Sequence, residues 1–325
     1  MTSFIDFTAV EAASSLKSAH YRFPRTKELH DALAWCVTDY YAKAMSGREY
    51  EARGLLVTGR SRVGKTREIQ RLLSKFNQSA TVMPDGRPAR FINCTLSGRM
   101  TWKDLGMKTL TALGYPAAGR RTQNSIWDMV LDQAKRQGVV GIHYDECQHM
   151  FSDTGTANNR VVLDSFKALL KDPRWPLVLI LSGVPDLAKH IERDTASEER
   201  KQLRYLLRPI HFDVIDPSKD LEELNSLAFS FADKVGLQFD SLSTLDFLKR
   251  LSHASSYRWG LAIELMIEAF IITKQSSGLE VTTKQFSKAF SLIHGLPNGF
   301  SPFDVDDYEE TFDEERLLRL LDRSD

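Results

Sequence analysis

The residues with the clearest chemical potential form one stretch, Gly59-Arg60-Ser61-Arg62-Val63-Gly64-Lys65-Thr66. It matches the P-loop pattern G-x-x-x-x-G-K-[ST], in which a glycine-rich turn brings backbone N–H groups onto phosphate oxygens. Lys65 would reach the β- and γ-phosphates, and Thr66 would hold Mg²⁺. The sequence therefore predicts that these eight residues bind ATP together with Mg²⁺.

The flanks of this stretch supply the elements that a phosphate-binding loop needs. Residues 55–58 form a short apolar, strand-like run, and residues 68–73 have the spacing of a helix. A loop between a strand and a helix presents the phosphates to the positive end of the helix dipole. This context argues against the alternative of a chance glycine-rich turn.

A second pair of reactive side chains, Asp145 and Glu146, directly follows the apolar run at residues 139–144. Such a pair at the end of a strand supplies what a P-loop lacks for ATP hydrolysis. Asp145 would hold the hydrated Mg²⁺, and Glu146 would orient and activate the attacking water. A strand followed by an ordinary polar loop is the alternative, which the presence of the P-loop disfavours.

Five strand candidates surround these motifs and would position them. They are residues 55–58, 90–95, 139–144, 177–181 and 211–215. Most are continuous apolar runs, typical of strands covered on both faces, and helical patterns separate them. This alternation predicts an α/β fold with a parallel sheet, whereas the block after Pro217 has helical patterns only.

Two further sequence motifs, together with the P-loop, indicate a resemblance to a known family. They are Asp145-Glu146-Cys147-Gln148-His149 and Leu181-Ser182-Gly183-Val184-Pro185. With the P-loop they resemble AAA+ ATPases, and in particular the TniB/TnsC family of transposition ATPases, over roughly residues 15–295. The resemblance implies an α/β AAA+ P-loop NTPase with a parallel five-stranded sheet, followed by a smaller all-helical lid domain. It also implies that Arg22-Phe23-Pro24 walls the adenine.

The same resemblance implies a function. Members of this family bind DNA, oligomerise with ATP and deliver transposase to a target site. We therefore expect an ATPase that forms a homo-oligomeric ring or helical filament on duplex DNA, with transposase and a TniQ-like target-selection protein as partners. The alternatives are a helicase-loader or initiator-type AAA+ protein, a scaffold that uses ATP as glue, and a protein-remodelling motor with a pore loop at residues 100–102.

Three site residues follow from the resemblance alone. Ser182 lies where AAA+ proteins have sensor 1, although a strand-end hydroxyl that caps the next turn is an equal alternative. Arg204 is the predicted arginine finger, chosen from Arg200, Arg204 and Arg208, which would share one helical face. Arg258 is the candidate sensor 2. For both assignments a solvated surface arginine is the alternative.

Family members line a DNA channel with two loops, and the corresponding stretches here are basic. The predicted DNA-contacting residues are Arg99, Thr101, Lys103, Arg120 and Arg121. Lys and Arg would contact phosphates without reading sequence, and a Thr hydroxyl can add to such contacts. Without the resemblance, solvent-facing charge is the ordinary interpretation of these patches.

The chain of 325 residues is neutral overall, but its charge is unevenly distributed. Residues 303–325 hold ten acidic residues and three arginines, so they carry −7 and leave +7 for the remainder. This asymmetry fits a polyanion binder with a separate partner segment, and equally an ordinary protein with a solvated tail. Phe303, Tyr308 and Phe312 lie among the acids, which predicts a tail that is disordered or folds on a partner.

The sequence also indicates how the chain is divided into segments and where in the cell the protein is located. The predicted segments are an N-terminal helical segment 1–48, an AAA+ α/β nucleotide-binding domain 49–216, a helical lid 217–296 and an acidic tail 297–325. The three cysteines show neither a close pair nor a metal-ligand spacing, as in reduced intracellular proteins. Because no apolar run reaches membrane-spanning length, we expect a cytoplasmic protein without a membrane partner.

Overall fold

The computed structural model describes residues 6–116, 121–152, 156–193 and 202–322. The chain forms two compact units. The first, called the α/β unit, is Phe23–Phe212, and the second, called the helical unit, combines Met1–Arg22 with Asp213–Asp325. Helix α1 (Phe7–Ser18) therefore belongs to the helical unit.

The α/β unit alternates strands and helices along the chain. Its strands are β1 Gly54–Gly59, β2 Arg90–Thr95, β3 Val139–Asp145, β4 Val178–Gly183 and β5 Leu207–Phe212. Its helices are α2 Pro24–Met45, α3 Lys65–Gln78, α4 Trp102–Ala112, α5 Gln123–Arg136, α6 Thr156–Lys171, α7 Pro185–Arg193 and α8 Gln202–Leu206.

The five strands form one parallel sheet in the order β2-β3-β4-β1-β5. Every residue of β1, β3 and β4 is buried, which explains why these three strands are apolar almost throughout. The predicted α/β fold with a parallel five-stranded sheet is thus confirmed. Since the strands are parallel, their carboxyl ends meet along one edge, where the residues of the predicted nucleotide motifs lie.

Strand β5 begins and ends four and three residues earlier than the sequence predicts. The expected strand was 211–215, whereas the observed strand is Leu207–Phe212 and contains Pro209. Pro209 lacks an N–H donor, yet β5 is an edge strand that pairs only with β1, so its other side needs no partner. The exposed Arg208 and Pro209 broke the apolar pattern from which strands are recognised.

The helical unit contains the all-helical block that the sequence predicts after Pro217. After α1 its helices are α9 Leu221–Lys234, α10 Leu245–Ala254, α11 Trp259–Gln275, α12 Thr283–His294, α13 Tyr308–Thr311 and α14 Glu314–Asp322. Helix α11 is buried on almost every side because α1, α9, α10 and α12 all pack against it. This packing explains its nearly uniform apolar composition.

The acidic C-terminal segment differs from the expectation of a disordered or partner-bound tail. Residues 300–322, called here the C-terminal strap, pack into the helical unit, and Phe303, Tyr308 and Phe312 are buried. Phe303 contacts the rings of Phe247 and Phe286 at centroid distances of 5.7 and 5.6 Å. The acidic residues whose burial is described are exposed, so charge composition alone did not reveal the aromatic core face.

Polar contacts fix the strap as well. The Arg250 guanidinium donates to the carbonyls of Pro302 and Val305 at 2.9 and 2.6 Å, and His253 Nε2 lies 2.7 Å from the carbonyl of Phe312. Side chains of α10 therefore satisfy backbone carbonyls of the strap.

The observed units also divide the chain differently from the predicted segments. The predicted N-terminal segment 1–48 is split between α1 in the helical unit and α2 in the α/β unit, and the helical unit resumes at Asp213 rather than 217. Within the described ranges, no helix combines the length and apolar character needed to span a lipid bilayer.

Candidate nucleotide-binding site

The P-loop joins β1 to α3 at the carboxyl edge of the sheet. Gly59 ends β1, and a Cβ there would lie 2.5 Å from the carbonyl oxygen of Phe212, so the close approach of β5 requires glycine. Gly64 has a φ of +101°, a conformation that other residues rarely adopt, and forms the N-cap of α3. The fourteen-residue helix α3 then directs its positive end into the loop.

Lys65 lies folded over this loop. Its Nζ donates to the carbonyl oxygens of Gly59 and Arg60 at 2.8 and 2.9 Å. Burial lowers the pKa of Lys65, while the carboxylates of Glu146 and Asp145 act in the opposite direction. The ammonium group is thus held at the loop, and phosphate oxygens could replace the two carbonyls as its partners.

The remaining loop residues divide between buried and exposed positions. Val63 is fully buried, whereas Arg60 and Ser61 are exposed. Arg62 has a φ of +62°, which is uncommon outside glycine and costs about 1–2 kcal/mol. Backbone strain of this kind clusters at functional sites, which makes the Arg62 side chain a candidate for function.

Thr66 and Asp145 meet as the two motifs require. Thr66 Oγ1 donates to Asp145 Oδ2 at 2.6 Å, although the two residues are 79 positions apart in the chain. A hydroxyl beside a carboxylate is an oxygen donor pair of the kind that Mg²⁺ uses, with water and phosphate completing the shell. Within the described residues, no group of three His, Cys, Asp or Glu side chains could hold a metal.

Asp145 accepts a second hydroxyl hydrogen bond on its other oxygen. Ser182 Oγ donates to Asp145 Oδ1 at 2.5 Å, and Ser182 is buried at the end of β4. Strands β3 and β4 are neighbours, so Ser182 and Asp145 project from the same face of the sheet. This position brings Ser182 to the carboxylate that the sequence predicts as a metal ligand, and its hydroxyl donates to that carboxylate.

His143 extends this hydrogen-bonded chain away from the site. Its Nε2 lies 2.7 Å from Ser182 Oγ, and its Nδ1 lies 2.9 Å from Oδ1 of Asn93, the residue directly opposite on β2. Burial lowers the pKa of His143, partly offset by the carboxylate of Asp145. The sequence reasoning missed His143 and Asn93; a lone histidine within an apolar strand was the available signal.

Glu146 lies in the left-handed region, with φ 56° and ψ 41°, directly after β3. The side-chain amide of Gln148 donates to Glu146 Oε2, and Gln148 Oε1 accepts from the N–H of Val184 at 3.3 Å. A Cβ at Gly183 would overlap Gln148 Oε1. The two motifs of the resemblance, residues 145–149 and 181–185, are therefore in direct contact. Gln148 joins Glu146, the expected base, to the loop after Ser182.

A wall of aromatic and guanidinium groups stands beside the P-loop. The Arg25 guanidinium lies over the rings of Phe23 and Phe212, 4.3 and 5.2 Å from their centroids. A Cβ at Gly64 would lie 3.7 Å from Arg25 Nη2. Phe23 belongs to the segment predicted to wall the adenine, whereas the sequence reasoning did not single out Arg25.

The predicted arginine-finger set does not share one helical face. Helix α8 ends at Leu206, so Arg204 is an exposed residue on that helix while Arg208 lies on β5. The Arg208 guanidinium lies 5.9 Å from the ring centroid of Trp35. The chain turns into the edge strand before the helix can continue; Arg200 lies outside the described residues.

The predicted DNA-contacting residues surround the start of α4 and α5. Arg99, Lys103 and Arg121 are exposed, whereas Arg120 lies outside the described residues. Thr101 forms the N-cap of α4 in a capping box with Asp104, so its hydroxyl already serves the helix.

Trp102 is packed rather than free to line a pore. It stacks on Trp127 at 4.5 Å and meets Phe166 edge-on at 5.1 Å. The motor alternative with a pore loop at residues 100–102 therefore loses its aromatic candidate.

The predicted sensor 2 residue, Arg258, lies in the helical unit at the N-cap of α11. Ser256 and Tyr257 just before it both have positive φ values, 48° and 59°. The backbone leading into Arg258 is thus strained in two consecutive residues, which is typical of functional positions.

The parallel five-stranded sheet with its helical C-terminal region is an α/β fold of the AAA+ type. Residues 48–191 match the sequence model of a family described as "AAA domain". None of the curated protein sequences matches this chain.

Solved structures with a similar fold include proteins of two archaea. Cdc6p from Pyrobaculum aerophilum aligns with a TM-score of 0.58 and 12% identity over 95% of this chain and 88% of that one. The Aeropyrum pernix ORC1 protein, solved in complex with DNA, has a TM-score of 0.59 and 14% identity over 87% and 69%. The ORC2 protein of the same organism, in ADPNP–ADP complexes, has a TM-score of 0.55 and 15% identity over 86% and 71%. At these identities the likeness establishes the fold.

Proposed function

We propose that the protein is a Mg²⁺-dependent ATPase whose ATP-bound form assembles on duplex DNA. The observation that carries this proposal is the hydrogen-bonded set Thr66–Asp145–Ser182, with Lys65 and Glu146 beside it. Each member has the chemical type that phosphoryl transfer to water requires.

Residues of this chain would divide the work of hydrolysis. Mg²⁺ and ATP supply the transferable phosphoryl group and the neutralising charge. Lys65 and the N–H groups at the start of α3 bind and orient the phosphates, while Thr66 and Asp145 hold the metal. Glu146 accepts a proton from the attacking water. Ser182 orients the groups around the phosphates at the carboxyl edge of the sheet.

The proposal includes a site shared between copies. Arg204 is the proposed finger, because it is exposed on the short helix before the edge strand and would approach the phosphates of a neighbouring copy. Such an arginine stabilises the charge that develops in the transition state. Arg258 is the proposed sensor 2, supported by the strained turn that precedes it.

The proposed DNA surface consists of Arg99, Lys103 and Arg121. They are exposed near the N-termini of α4 and α5, which pack together through Trp102 and Trp127. Contacts of this type bind phosphates irrespective of sequence, so the assembly would be non-specific for DNA sequence.

Transposition is the proposed process, with transposase and a TniQ-like protein as partners and a cytoplasmic location. The support for it is the pair of motifs at residues 145–149 and 181–185, which meet through Gln148 and Gly183. An initiator or helicase-loader role is the second candidate, favoured by the fold similarity to Cdc6p over 95% of this chain. Capture of purified transposase, compared with capture of a replicative helicase, separates the two.

Two substitutions test the ATPase proposal. Lys65→Ala should abolish ATP binding, whereas Glu146→Gln should bind ATP and lower hydrolysis by about 10²–10⁴-fold, because only the proton acceptor is lost. The measurements are nucleotide-binding titrations and steady-state phosphate release. Equal hydrolysis by wild type and Glu146→Gln would overturn the assignment of the base.

A further inference from the structure

His143 is completely buried within the sheet, two residues before Asp145 on β3. The proposed reaction gives it no role. A buried imidazole is costly unless both nitrogens have partners, and both do. Its neighbours are Ser182 at 2.7 Å and Asn93 at 2.9 Å. The chain of contacts therefore runs from the exposed Asn93 on edge strand β2 to the metal-binding carboxylate.

The number of available hydrogen atoms determines which group donates in each of these hydrogen bonds. The Ser182 hydroxyl has a single hydrogen but two close partners, Asp145 Oδ1 at 2.5 Å and His143 Nε2 at 2.7 Å. An ionised carboxylate can only accept, so the hydroxyl hydrogen must lie toward Asp145. The contact between Ser182 and His143 is then a hydrogen bond only if Nε2 carries the hydrogen and donates it.

The other ring nitrogen follows from this assignment. A neutral imidazole carries one N–H, so Nδ1 of His143 becomes an acceptor. Rotation of the terminal amide of Asn93 exchanges its oxygen and nitrogen, which puts an N–H donor at the position that lies 2.9 Å from Nδ1. Both ring nitrogens of His143, the Ser182 hydroxyl and the carboxylate of Asp145 then have matching partners.

We propose that His143 is a positioning residue, which donates from Nε2 to Ser182 and so directs the Ser182 hydroxyl toward Asp145. The proposal rests on the proposed ATPase function of this site. A valine or leucine would fill the same space within β3, but it would remove this donor and leave the Ser182 hydroxyl held by Asp145 alone. His143 therefore acts through Ser182. Its loss should lower the rate of the chemical step and leave the affinity for nucleotide unchanged.

The kinetic test compares His143→Leu with His143→Gln. The leucine removes the donor and should lower kcat by about 10–100-fold with KM for ATP unchanged, as for other residues that orient metal-site groups. The glutamine amide can donate in place of Nε2 and should restore most of the rate. In a Ser182→Ala background, His143→Leu should cost nothing further, because its target is already gone.

A second readout uses the nucleotide-free wild-type protein. In ¹⁵N-histidine-labelled protein, the ring signals that disappear in His143→Gln identify His143, and we expect the neutral form protonated at Nε2. A ring protonated at Nδ1, or rate losses that add in the double variant, would overturn the proposal. If the wild-type protein hydrolyses no ATP, the ATPase proposal fails, while the ring spectrum still decides which nitrogen carries the hydrogen.

Discussion

Gln148 and Gly183 depend on each other at the level of single atoms. The Gln148 amide donates to Glu146, and its oxygen accepts from the N–H of Val184. Gly183 leaves the space that the Gln148 oxygen occupies, and Leu187 closes the other side, with Cδ2 at 3.1 Å from where a Cβ would lie. The expected base and the end of β4 are thus joined by one side chain that needs glycine opposite it.

We predict that Gly183→Ala destabilises the protein by about 1–3 kcal/mol, the usual cost of overpacking. The added methyl displaces Gln148 and breaks its two hydrogen bonds. In the Gln148→Ala background the same change should cost less, giving an interaction energy of about 0.5–3 kcal/mol in a double-mutant cycle measured by denaturant unfolding. Strictly additive losses would show that the two residues do not share this space.

The strained backbone at Arg62 offers a second test at residue scale. Replacing Arg62 by Gly should leave thermal stability unchanged or higher, because glycine adopts its φ of +62° without strain, an effect of about 1 kcal/mol. If the guanidinium serves nucleotide binding or assembly, Arg62→Gly should still weaken one of these. Arg62→Asn is the matched control, since asparagine tolerates this conformation but also lacks the charge. ATP affinity and assembly retained by both variants would remove Arg62 from the site.

At the scale of elements, helices α4 and α5 carry the proposed DNA surface. Lys103→Ala combined with Arg121→Ala should lower the slope of log K against log salt by about 0.9 for each phosphate that is no longer neutralised. The affinity should fall equally on unrelated duplex sequences, as measured by fluorescence anisotropy across a salt series.

The matched control removes the same charge from exposed lysines of the helical unit, Lys249 and Lys284. The control pair should retain the wild-type salt slope. If both pairs lower the slope alike, binding follows total charge rather than the surface near α4 and α5.

Strands β1 to β4 and the two nucleotide motifs could be predicted from sequence because local patterns determine them. The P-loop needs its own glycines, and buried parallel strands need apolar runs. Strand β5 could not be placed because Pro209 is acceptable only on an edge, and edge position is a property of the assembled sheet. The roles of His143 and Asn93 likewise depend on strand register, which no single stretch of sequence contains.

At the scale of the whole molecule, the C-terminal strap changes what truncation should do. Phe312 is fully buried and contacts the rings of Phe290 and Phe300 at 5.7 and 5.0 Å. Its carbonyl accepts from His253. The strap therefore contributes to the core of the helical unit, in contrast to the expectation of a tail that is disordered or folds on a partner.

We predict that Phe312→Ala lowers the free energy of unfolding by about 3–5 kcal/mol, the usual loss for a buried phenylalanine. Asp306→Ala in the same strap is the control, since Asp306 is exposed and its loss should have little effect. Truncation after Asn298 should destabilise the helical unit further, as followed by thermal melting. Wild-type melting of the truncated protein would show that the strap contributes nothing to the fold.

The composition of the helical unit from two chain segments also determines the order in which the protein folds during synthesis. Helix α1 leaves the ribosome before the α/β unit, but it packs against α9 and α11, which follow that whole unit. At about 5–20 residues per second, the wait lasts roughly 10–50 s. A twelve-residue helix is marginal on its own, so α1 stays unfolded while the sheet forms behind it. A helix translated ahead of the entire sheet is thus among the last to fold.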